Sequence, residues 1–130
     1  KEKNNMGRYY SGDIEGKFWF AVQSSDDADF FGATGEHPDY LDYFFNKKDH
    51  LENIKSGIST CLIELGDWKG KLDKFFKDNN GYNDEMIEKQ IGLKTENVKE
   101  VLKWYARLEL GEQILNHVEK NDDCHFTAEL

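Results

Sequence analysis

Proline, cysteine, basic residues and long apolar runs are all scarce in this chain. Its 130 residues contain 1 proline, Pro38, and 2 cysteines. Cys61 and Cys124 stand far apart with no CxxC spacing, which excludes a zinc ribbon and a dithiol redox motif. With so few thiols, an intracellular, reducing cytoplasmic setting is the simplest expectation. Lys plus Arg number 17 against 26 Asp plus Glu, for a net charge of −9. Phosphate backbones are held by clustered Lys and Arg, so this balance argues against nucleic acid and against an anionic membrane surface. No apolar stretch approaches the roughly 20 residues that a spanning helix requires, and no signal-peptide pattern is visible. Phosphate loops, GxGxxG, HExxH and nucleophile elbows are absent too, so no cofactor is expected and an enzyme is not indicated.

Aromatic residues are plentiful, at 14% of the chain. Disordered chains lack such content, so a single folded domain is expected across the 130 residues. Residues 1–5 differ in character from the rest of the chain. They read as a disordered or non-native extension ahead of a natural start at Met6, whose MGRYYS fits only the bare myristoylation pattern.

Patterning predicts strands, then helices, then a strand. Gly12 and Gly16 bracket a hairpin turn between two short aromatic segments. Residues 17–23 read as a strand that is apolar on both faces, and so either central or with its second face against a partner. In the third strand, residues 40–46, Leu41, Tyr43 and Phe45 alternate with Tyr40, Asp42 and Phe44. CHFTAEL, near the other end, reads as a fourth strand with Cys124, Phe126 and Ala128 on one face. Between them Leu51, Ile54, Ile58, Cys61, Leu65, Trp68, Leu72 and Phe75 form a helical stripe. A glycine inside a helix costs up to about 1 kcal/mol against alanine, so a break near Gly66 is expected. A short helix capped by Asn83 and stopped by Gly92 follows, then a long one capped by Thr95. The expectation is an α+β fold: a small, mainly antiparallel sheet packed against three or four helices. The stripe serves intramolecular packing in preference to a coiled-coil dimer, because e and g charges are not systematic.

Two places invite a functional reading. Asp26, Asp27, Asp29 and His37 fall in one stretch and could together hold a divalent ion in a small enzyme or metal-binding domain. Their spacing departs from the calcium-loop template, and Ser24-Ser25-Asp26-Asp27 suits a turn, so residues 24–37 are expected to be an exposed acidic loop without metal. The second place is the aromatic-rich N-terminal third. A small sheet cannot bury all of these rings, and Tyr and Trp suit interfaces. Tyr9, Tyr10, Trp19, Phe30, Phe31 and Tyr40 are thus the expected binding surface of a protein-interaction or accessory module, for a partner protein or for self-association as a homodimer. Among the histidines, His117 suits the helix dipole near a C-terminus. His125 points away from both neighbours on its strand, which disfavours a Cys124–His125 nucleophile pair.

The run MGRYYSGDIEGKFWFAVQSSDDADFFG is similar to the start of short uncharacterised proteins from marine metagenomes and large viruses. That resemblance covers about the first quarter of the chain. It implies an accessory viral protein and brings no activity with it.

Overall fold

The computed structural model describes residues 8–18, 23–35 and 40–129. In chain order these form β1 (Tyr9–Gly12), β2 (Gly16–Lys17), a 3-10 turn (Asp27–Phe31), β3 (Tyr40–Asn46), α1 (Lys47–Leu65), α2 (Trp68–Asp78), α3 (Asp84–Ile91), α4 (Thr95–Asn121) and β4 (Asp123–Glu129). The fold is α+β, with a four-stranded sheet of order β2-β1-β4-β3, antiparallel throughout.

Gly12 and Gly16 adopt φ of +113° and +121°, the left-handed conformations a tight reversal needs. On β3 and β4 the expected alternation holds. Tyr43, Phe45, Cys124, Phe126 and Ala128 face the helices and are buried. Tyr43, Phe45 and Phe126 stack on this face, with Phe126 5.4 Å from Tyr43 and 6.2 Å from Phe45 between ring centres. The apolar stripe breaks at Gly66, which ends α1 at φ +53°. Asn46 caps α1 by accepting the Asp49 N–H at 2.7 Å, and Asn83 caps α3 by accepting that of Met86 at 2.8 Å.

Three expectations need correction. Thr95 is the first helical residue of α4, not its cap, because extended Lys94 already turns the chain. Its hydroxyl instead donates to Glu88 Oε1 at 2.7 Å and ties α4 to α3. Of the strand expected over residues 17–23, Lys17 lies in β2, which occupies an edge of the described sheet and not its centre. Phe18 and Gln23 lie outside any strand, and residues 19–22 lie outside the described residues, as do residues 1–5.

The third correction concerns residues 24–37. Among those described, the middle is no exposed loop: the turn Asp27–Phe31 inserts Phe31, fully buried, between α1 and α4. Two glycines make room for it. A Cβ at Gly57 would lie 2.7 Å from Phe31 Cδ1, and one at Gly111 would lie 2.5 Å from both Cε1 and Cζ. The ring takes the space of two absent side chains.

Candidate functional site

The aspartates of the turn do not gather; each has its own partner. Asp26 accepts a hydrogen bond from the Ser24 hydroxyl. Asp27, only 5% exposed, accepts from Arg107 Nε at 2.8 Å and from Gln23 Nε2 at 2.9 Å. Asp29 accepts from the Tyr43 hydroxyl and from the Gly35 N–H. Burial first, and then Asp29, pushes the Tyr43 phenol above its ordinary value. Arg107 also stacks 4.5 Å from the Phe30 ring and 4.8 Å from Trp104. A buried carboxylate is tolerated only when paired, and here the Gln23 amide and a guanidinium that also packs on two rings satisfy it. This is structural chemistry. His37, the fourth member of the expected set, lies outside the described residues.

The expected binding surface divides in a similar way. Tyr10 is 6% exposed and belongs to the core, stacked on Phe18 at 4.2 Å. Phe31 is the wedge described above. Both are thus corrected from surface to core: the one is a sheet residue facing the helices, the other has two glycines to receive it. Phe30 is partly buried against Arg107 and Trp104, and Trp19 lies outside the described residues. Tyr9 and Tyr40 remain on the face of the sheet that no described helix covers.

That face is built by strand register. Residues directly opposite one another share a face, so Lys17, Tyr9, Glu129 and Tyr40 form one cross-strand row, and Ser11, Thr127 and Asp42 the next. His125 and Phe44 form a third row, with Asp123 and Asn46 beyond. Phe44 is 50% exposed and Tyr40 36%. His125 Nε2 lies 2.8 Å from Asp42 Oδ1, and the Phe44 ring meets the imidazole edge-on at 6.2 Å. This contact is half in water, so it orients the two side chains more than it stabilises them. The period-2 pattern puts Phe44 beside Tyr40 on this face, yet Phe44 is absent from the expected binding residues.

Elsewhere, a cavity of about 170 Å³ beside Tyr10 is lined by Glu15, Lys17, Gln23, Ala106 and Leu110 among others. Asp13, His117 and Cys124 meet at the end of the sheet where β4 leaves α4. Burial, reinforced by Asp13 and Asp123, pushes the Cys124 thiol up to about 12. At neutral pH it is therefore no thiolate nucleophile. Among the described residues no helix is long and apolar enough to cross a membrane.

Comparison with known proteins finds no match among family models, curated proteins or solved structures.

Proposed function

We propose that this domain is a protein-binding module that docks a basic partner protein on the face of its sheet opposite the described helices, with Phe44 as the anchor. The observation that carries the reading is Phe44 itself. It is the one exposed phenylalanine among the described residues, 50% open on a face that no described helix covers. Interfaces draw most of their affinity from a few central aromatic anchors surrounded by polar groups. Around Phe44 stand Tyr40, His125, Asp42 and Asp123, which supply the polar rim. The net charge of −9 selects the partner. Two copies of the chain repel one another, as do the chain and a phosphate backbone, whereas a basic surface is drawn in.

A photocrosslinking residue placed at position 44, and separately at the exposed position of Glu85 on α3, tests this in lysate of the source cells. The expected result is one basic protein captured from position 44 and not from position 85. That protein, once purified, should bind with a Kd that Phe44→Ala weakens at least tenfold, or about 1.4 kcal/mol. Equal capture from both positions overturns the reading, as does a Kd indifferent to Phe44→Ala and Tyr40→Ala. Capture of a second copy of the chain replaces the basic partner by self-association.

A further inference from the structure

Asp13, His117 and Cys124 come from the β1–β2 turn, from near the end of α4 and from β4. A carboxylate oxygen, an imidazole nitrogen and the sulfur all lie within 4.8 Å of one another. The outward-facing atoms of the first two are already held. His117 Nδ1 is 2.8 Å from the Asp123 carbonyl oxygen. A carbonyl only accepts, so Nδ1 carries the proton. In the neutral ring Nε2 then presents a bare lone pair, 3.7 Å from Asp13 Oδ1. Two lone pairs facing each other across that gap are matched by an electrophile between them, either a proton or a cation. The other oxygen, Asp13 Oδ2, accepts the His125 backbone N–H at 2.8 Å. A carbonyl on the far nitrogen of an imidazole and a donor on the far oxygen of a carboxylate are the outer contacts that orient metal ligands.

We propose that Asp13, His117 and Cys124 form a binding site for a divalent transition-metal ion of the zinc class. Oxygen, nitrogen and sulfur donors together suit that class and not Ca²⁺ or Mg²⁺, which take oxygen. Tetrahedral ligation sets nitrogen and oxygen donors about 3.3–3.5 Å apart, a few tenths of an ångström inside the 3.7 Å between His117 and Asp13. The sulfur lies within 4.8 Å of both other donors, so on binding the three draw together, with Asp13, on an exposed turn, the freest to move. A carboxylate and a thiolate neutralise the two positive charges, and the ion holds the thiol deprotonated. Three protein ligands leave a fourth position for water on the side where the His117 and Asp13 side chains are 29% and 37% exposed, which is also the way in. Gly12 makes the approach possible, since a Cβ there would lie 2.8 Å from the His125 carbonyl oxygen and 2.9 Å from Phe126 Cα.

Co²⁺ is the probe, added to the metal-free 130-residue chain. Binding at one ion per chain should give a thiolate-to-cobalt charge-transfer band in the near ultraviolet and tetrahedral absorption in the visible, both abolished by Zn²⁺. Asp13→Asn and His117→Gln should each weaken the ion by about 100-fold or more, the upper end of what loss of an outer contact costs. Cys61→Ser should leave the bands intact. Cys124→Ser should abolish the charge-transfer band, and counts where circular dichroism shows the fold retained; the exposed Asp13 variant carries the test in any case. If wild type gives no bands at millimolar Co²⁺, the cluster is a plain side-chain contact and the proposal is overturned. Bands that survive Asp13→Asn and His117→Gln overturn it equally. Neither result touches the Phe44 reading, which rests on other residues and another assay.

Discussion

Substituting alanine for Gly111 is a one-methyl test of how the 3-10 turn is seated. Two terms oppose each other. Replacing a helix-interior glycine by alanine stabilises by about 1 kcal/mol. Against it, the new Cβ would lie 2.5 Å from Phe31 Cε1 and Cζ and 3.1 Å from Ile58 Cγ1, closer than packed carbons tolerate. Overpacking of this kind costs about 1–3 kcal/mol, so Gly111→Ala alone should be neutral to destabilising by about 2 kcal/mol. Removing the ring reverses the sign. Phe31→Ala alone should cost about 3–5 kcal/mol, but in that background the methyl meets no ring and Gly111→Ala should gain about 1 kcal/mol. The cycle therefore predicts a coupling of about 1–3 kcal/mol, well above the roughly 0.5 kcal/mol within which independent sites add. Urea unfolding followed by far-ultraviolet circular dichroism on the four proteins measures it. Gly111→Ala stabilising both backgrounds equally would refute the placement of Phe31 between the two helices.

Asp27→Asn should destabilise by about 2 kcal/mol, less than the roughly 3–5 kcal/mol of a fully buried pair because the Arg107 side chain keeps 21% of its exposure; a melting temperature within a degree of wild type would show that the pair contributes nothing. Stability should also fall in alkali. Burial pushes the Cys61 thiol up to about 12 and raises the phenols of Tyr10, Tyr43 and Tyr105 above their ordinary value. The folded chain thus holds these protons more tightly than the unfolded chain. Their contribution is complete below about pH 8 and is lost as pH rises past the unfolded thiol near 8.5 and the phenols near 10, at about 1.4 kcal/mol per pH unit for each group. Urea midpoints from pH 7 to 10.5 read this directly, and a flat profile contradicts it.

Local features were legible in the sequence. The glycine break after α1, the Asn83 cap, the Gly92 stop and the alternation along β3 each depend on neighbours a few positions away, so propensity and period suffice. Asp27 looks solvated in sequence because its partner, Arg107, is 80 residues distant, and no spacing announces a pair that only the packing of α4 creates. Tyr10 and Phe31 escape for a related reason: counting rings against sheet area ignores the helices and the hollows at Gly57 and Gly111. The Asp13, His117 and Cys124 cluster leaves no trace at all, since three elements contribute one residue each. Phe44 is within reach, because the same alternation that buries Tyr43 and Phe45 turns it outward.

Strand β4 joins β1 on one side to β3 on the other, and residues 123–129 leave the ribosome after every other element described. Until they emerge, the N-terminal hairpin and β3 share no ladder, and the inward rings of Tyr10, Tyr43 and Phe45 lack their contact with Phe126. The helices α1 to α4 can form during synthesis from local contacts, but sheet closure is a late event of high contact order. A chain truncated just before Asp123 would therefore be helical and ring-exposing, a substrate for chaperones and proteases, in place of a slightly weakened domain.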